Sequence, residues 1–113
     1  MLIVDDHPGF RSAARALLEA DGFDVVGEAA DGESGLAAAE RLRPGLVLLD
    51  IQLPDLDGFA VAERLATAEP APAVVLVSSR DSSAYRWRLA DSPARGFIPK
   101  SDLSGAAVTA LVG

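Results

Sequence analysis

The stretch Leu46-Val47-Leu48-Leu49-Asp50 is four aliphatic residues running into a carboxylate. A continuous apolar run of this kind reads as a strand covered on both faces, the habit of parallel sheets. An ionised carboxylate is costly to bury without partners, so Asp50 belongs at the open end of that strand or among groups that satisfy it. Three other apolar runs stop in the same way: Leu2-Ile3-Val4 on Asp5-Asp6, Val74-Val75-Leu76-Val77 on Ser78, and Phe97-Ile98-Pro99 on Lys100. In an open parallel sheet the carboxyl ends of the strands share one edge, and ligands bind in the crevice outside it. The pattern therefore brings three acids, a hydroxyl and an ammonium to one place.

Helical periodicity fills the intervals between these runs. After Pro8, which suits a first helical turn, Phe10, Ala13, Ala14, Leu17 and Leu18 mark one buried stripe. Asp24 to Ala30 has less apolar weight and reads as an edge strand. Asp31 is placed to cap a helix through Arg43 that buries Leu36, Ala39 and Leu42, and Pro44-Gly45 ends it. Asp57 is placed to cap a third helix with Phe59, Ala62, Leu65 and Ala66 inward. Asp81 to Asp91 is the weakest helix, because Ser82, Ser83, Tyr85 and Trp87 are mediocre helix formers. Arg95 to Ile98 reads as the last strand and Leu103 to Val112 as the last helix. Strand and helix alternate five times, which predicts an α/β three-layer sandwich around a parallel five-stranded sheet, one domain over residues 1–113.

Composition narrows the function. The chain has 113 residues, half of them apolar and 24% charged, the profile of one globular domain. A net charge of −7 with no basic run argues against direct binding of nucleic acid. Without cysteine there are no disulfides or thiolate metal sites, which fits a cytoplasmic protein. No apolar run approaches the roughly 20 residues that span a bilayer, and a strand starting at Leu2 leaves no room for a signal peptide, so no membrane partner is expected.

Clustered aspartates raise each other's pKa unless a cation joins them. Oxygen ligands alone point to a hard ion, Mg²⁺ above all, which readily takes phosphate as a further ligand. Lys100 is the single lysine, the other nine basic residues being arginines. A lone lysine at a strand end suits the point charge a phosphate oxygen needs. A carboxylate beside a metal and an ammonium can serve as a nucleophile toward phosphorus, where positioning and charge neutralisation are most of the catalysis. His7, beside Pro8 at a helix start, reads as a surface residue. Asp55 and Asp57 read as turn and cap residues, and Tyr85 and Trp87 as half-buried or partner-facing.

Taken together, Ile3-Val4-Asp5-Asp6-His7, Leu48-Leu49-Asp50-Ile51-Gln52-Leu53-Pro54-Asp55-Leu56-Asp57-Gly58, Val77-Ser78 and Gly96-Phe97-Ile98-Pro99-Lys100 resemble a response-regulator receiver domain. Val-Asp-Asp-His-Pro and Val-Val-Gly-Glu-Ala are most similar to the receivers of LuxR/NarL-type regulators. The resemblance implies a flavodoxin-like fold with strand order 2-1-3-4-5, and phosphorelay signalling in which a sensor histidine kinase donates a phosphoryl group to Asp50. It further implies Mg²⁺ held by Asp6 directly, Asp5 through water, Asp50, and the main-chain carbonyl of Gln52. Ser78 matches the switch hydroxyl and Lys100 the lysine that pairs with the phosphoryl group. Phe97 matches a Tyr or Phe that swings inward on activation. The implied output surface is helix four, strand five and helix five, facing a downstream effector protein or a second copy in a homodimer.

Two departures stand out. Ser92-Pro93-Ala94 replaces a glycine-containing turn before the last strand, and Pro cannot take the positive φ that glycine allows. Phe97 has no hydroxyl to pass on a tyrosine hydrogen bond. The alternatives are a pseudo-receiver that binds partners without phosphorylation, and the receiver portion of a LuxR-type DNA-binding regulator, the chain carrying no effector domain. An aspartate-nucleophile phosphatase of the haloacid dehalogenase type is disfavoured, because its second acid would stand where Gln52 does.

Overall fold

The apolar runs become five strands: β1 (Leu2–Val4), β2 (Gly27–Ala29), β3 (Leu46–Asp50), β4 (Ala73–Ser78) and β5 (Gly96–Pro99). All pairings are parallel, in the order β2-β1-β3-β4-β5. This is a computed structural model; it describes residues 1–113 apart from the Ser82 side chain. The helices are α1 (Pro8–Ala20), α2 (Gly32–Leu42), α3 (Gly58–Leu65), α4 (Arg86–Asp91) and α5 (Gly105–Val112), with short 3-10 turns at Ser82–Tyr85 and Lys100–Asp102.

Alternation along the strands divides the core into two layers. Leu2, Val4, Val47, Leu49, Val74 and Leu76 pack with Ala38 of α2 and with Phe59, Val61, Ala62 and Leu65 of α3. Ile3, Leu48, Val75, Val77 and Ile98 pack with Ala14 and Leu18 of α1 and Val108 of α5. Each Val, Leu, Ile or Phe side chain among these gains about 1.5–3 kcal/mol over its exposed state, so the two sides of the central strands hold the sandwich together.

The local departures from expectation have physical causes. β2 is shorter than the Asp24–Ala30 stretch: Val25 is buried and Val26 donates to the Met1 carbonyl at 2.9 Å, but neither joins the ladder. In α2 it is Gly32, Gly35 and Ala38 that are buried, while Leu36, Ala39 and Leu42 are only half-buried. Small residues let this helix sit close to β1, since a Cβ on Gly35 would come within 2.9 Å of Val4. Ala66 lies past the end of α3 and is exposed; Val61 faces the core instead. The fourth helix breaks into the 3-10 turn and a six-residue α4, as its poor helix formers allow. α5 starts later than Leu103, at the point where Ser104 Oγ accepts the Ala107 N–H at 3.0 Å. The turn before β5 is built without positive φ: the Ala94 N–H donates to Ser92 Oγ at 3.2 Å and the Arg95 N–H to the Val74 carbonyl at 2.7 Å. No helix is long and apolar enough to cross a membrane among the described residues.

Candidate functional site

Register delivers the polar tips to one edge. Val4 lies opposite Leu49, Asp50 opposite Val77, and Ser78 opposite Pro99. The residues that follow, Asp5 and Lys100, therefore flank Asp50 from either side of the sheet edge. Asp5, Asp50 and Ser78 are the buried polar residues among the described residues, at 0%, 2% and 0% exposure.

Neighbouring donors hold the carboxylates of Asp5 and Asp50 in place. Asp5 Oδ1 accepts the His7 N–H at 2.8 Å, and Lys100 Nζ lies 2.7 Å from Asp5 Oδ2. Lys100 Nζ also reaches Asp50 Oδ2 at 3.5 Å and sits 4.4 Å from the centroid of the Phe10 ring, whose face favours a cation. Asp50 Oδ1 accepts the Gln52 N–H at 3.2 Å. Burial first, and then the charge of Asp5, push the Asp50 carboxyl up from 3.8 to about 6, against the pull of Lys100 and the Gln52 N–H. One ammonium among three carboxylates leaves the pocket negative, which draws a cation.

The donor set fits Mg²⁺. Asp5, Asp6, His7 and Asp50 each bring a ligand atom to a group whose atoms lie within 4.8 Å of one another. Asp5 Oδ2 and Asp6 Oδ1 are buried and make no hydrogen bond. Asp5 Oδ2 is instead ion-paired with the Lys100 ammonium at 2.7 Å, and Asp6 Oδ1 faces His7 Nδ1. Converging carboxylate oxygens in a pocket of net negative charge are what a hard divalent cation coordinates.

The expected residues thus divide. Asp5, Asp6, Asp50 and Lys100 come together, with the main chain of Gln52 alongside and its side chain exposed. Ser78 stands at the same edge, but its Oγ is engaged elsewhere, 3.0 Å from the Tyr85 hydroxyl and accepting the Arg80 N–H at 3.1 Å. Phe97 is half-buried with its ring centroid 6.0 Å from that of Tyr85.

Three residues do more than their sequence setting conveyed. Tyr85, read as half-buried or partner-facing, is buried at 7% exposure. His7 Nδ1 lies 3.1 Å from both Asp5 Oδ1 and Asp6 Oδ1, although its side chain is mostly exposed. Asp55 accepts the Gly32 and Glu33 N–H groups at 2.7 and 2.9 Å, tying the loop after β3 to the start of α2. Those bonds, the Glu33 N–H foremost, hold its carboxyl below the usual range.

The family model of the response regulator receiver domain matches residues 1–110. The chain belongs to the response regulator receiver family. This receiver is 40% identical over 102 residues to the virulence factors putative positive transcription regulator BvgA of Bordetella pertussis, covering 90% of this chain and 49% of that protein. It is 31% identical over 101 residues to the DNA-binding transcriptional activator EvgA of Escherichia coli, covering 89% and 50%. Among solved structures, the signal receiver domain of the putative response regulator NarL from Mycobacterium tuberculosis superposes with a TM-score of 0.86 at 32% identity, covering 99% of this chain and 94% of that one. The receiver spans about half the length of the curated relatives it matches. Its strand order and its likeness to NarL agree with the flavodoxin-like fold and the LuxR/NarL-type resemblance.

Proposed function

We propose that this receiver accepts a phosphoryl group on Asp50 from the phosphohistidine of a sensor histidine kinase in the cytoplasm, as a signalling domain with no substrate of its own beyond that group. A carboxylate oxygen of Asp50 attacks phosphorus, an O–P bond forms, the P–N bond to the imidazole breaks, and the leaving imidazole takes up a proton. Asp5, Asp6, Asp50 and the Gln52 main-chain carbonyl would hold Mg²⁺, which when bound neutralises charge on the phosphoryl oxygens. Lys100, already 3.5 Å from Asp50 Oδ2, pairs with the new oxygens. The observation that carries this reading is the strand-tip carboxylate of Asp50, buried beside the Lys100 ammonium and beside two buried oxygens of Asp5 and Asp6 that accept no hydrogen bond.

The proposed unit is a single receiver domain over residues 1–113. Its switched surface, formed by α4, β5 and α5, faces an effector protein or a second copy. Since relatives of about twice its span are named transcription regulators, control of transcription is the output we assign to it.

Incubation with acetyl phosphate and Mg²⁺ is expected to add one phosphoryl group to the wild-type protein by intact mass, and none to Asp50→Asn. Full labelling of the variant at another residue would overturn the acceptor assignment. Lys100→Ala is expected to keep the label but to confine phosphorylation-dependent amide shifts in ¹H–¹⁵N spectra to the tips of β1 and β3. Shifts that still spread to α4 and β5 in that variant would remove Lys100 from the signalling route.

A further inference from the structure

Phe97 lacks a hydroxyl, yet Ser78 has a tyrosine partner. The Tyr85 hydroxyl and Ser78 Oγ lie 3.0 Å apart in a buried bond. Ser78 continues the phase of Val74 and Leu76, which face the α2 and α3 layer. Asp50 continues the phase of Leu48, which faces α1 and α5. The Ser78 main chain is thus at the site edge while its hydroxyl is turned into the layer that holds Tyr85. Tyr85 is wedged there between two rings, its centroid 5.9 Å from that of Phe59 and 6.0 Å from that of Phe97.

A hydroxyl has one proton and two lone pairs. Ser78 Oγ already accepts the Arg80 N–H, and Tyr85 takes a second of its three positions. Turning Oγ toward a new acceptor on Asp50 breaks both bonds, and a buried phenol stripped of its partner is unfavourable, so Tyr85 has to move as well. Tyr85 closes the Ser82–Tyr85 turn and leads straight into α4, six residues of which none is buried. α4 carries Trp87, 82% exposed, and is tied to α3 through Arg88, 2.5 Å from Asp57 and 4.3 Å from the centroid of the Phe59 ring. A short segment with so little buried surface is readily displaced.

We infer that Tyr85 is the positioning residue that couples Ser78 to α4: its hydroxyl keeps Ser78 turned away from Asp50 and releases it on phosphorylation, displacing the segment that carries Trp87. This rests on the phosphoryl-acceptor reading of Asp50.

Trp87, the single tryptophan, reports on α4 by fluorescence, while intact mass reports the label independently. In the wild-type protein, acetyl phosphate with Mg²⁺ is expected to label Asp50 and change the Trp87 signal. Tyr85→Phe keeps both ring contacts and is expected to reach the same label yield, with the Trp87 response reduced about threefold or more. Ser78→Ala, which removes the same bond from its other end, is expected to reduce the response similarly, and the double variant no further. A purely packing role for Tyr85 would leave the response of Tyr85→Phe intact and so overturn the inference. A labelled wild-type protein with a silent Trp87, or additive losses in the double variant, would overturn it too. A wild-type protein that takes no label overturns the acceptor reading itself, a result distinguishable from the others by mass.

Discussion

Asp50→Asn is expected to raise the unfolding free energy of the metal-free protein at neutral pH by about 1–3 kcal/mol, the worth of lifting a carboxyl from 3.8 to about 6. In the folded state Asp50 binds its proton more tightly than in the unfolded chain. Its charge therefore opposes folding fully above pH 6, and less and less as the pH falls toward 4. Asparagine keeps the shape and removes the charge, while Lys100 retains Asp5 at 2.7 Å. The gap between variant and wild type should accordingly shrink between pH 7 and pH 4, as urea unfolding at both values would register. Mg²⁺ should also narrow it at pH 7, because an ion that binds only the folded state stabilises it and the variant has lost a ligand. A variant no more stable than wild type, or a gain independent of pH, would mean that burial of the Asp50 charge does not strain the fold.

Gly58→Ala is expected to destabilise the protein by about 3 kcal/mol, the upper part of the range for forcing atoms into a packed site. A Cβ at this position would overlap the Asp50 carbonyl oxygen and lie 2.6 Å from Ile51 Cα. Both obstacles are backbone, so no rotamer change relieves them. Gly58 also donates its N–H to the Ile51 carbonyl at 2.8 Å, locking the start of α3 against the end of β3. Relief can come only by moving the strand tip that carries Asp50, so the rate of labelling by acetyl phosphate should fall along with stability. Gly9→Ala, also in a helix but with nothing within 4 Å of its Cβ, is the control, expected to be neutral or stabilising by up to about 1 kcal/mol. Equal urea midpoints for the two variants would refute the close approach at Gly58.

Much of this was legible in the chain. Leu46 to Leu49, Leu2 to Val4 and Val74 to Val77 carry their own instruction, because a strand covered on both faces needs an unbroken apolar run and these are rich in Val, Ile and Leu, unlike the alanine-rich apolar runs of α2 and α3. Their polar stops, Asp5, Asp50 and Ser78, followed as the sheet edge, and Asp31 and Asp57 cap their helices as their positions foretold. These are local patterns, decided by spacing and by which face must be buried.

The sequence by itself determined the parallel sandwich and the gathering of Asp5, Asp6, Asp50 and Lys100 at its edge. Only the tertiary structure decided that Ser78 turns to Tyr85, that Asp55 holds α2 across 23 residues, and that Gly58 must be bare beside Asp50. Periodicity says which side of an element faces inward, whereas a hydrogen bond or a close approach depends on which distant atom packing brings to about 3 Å.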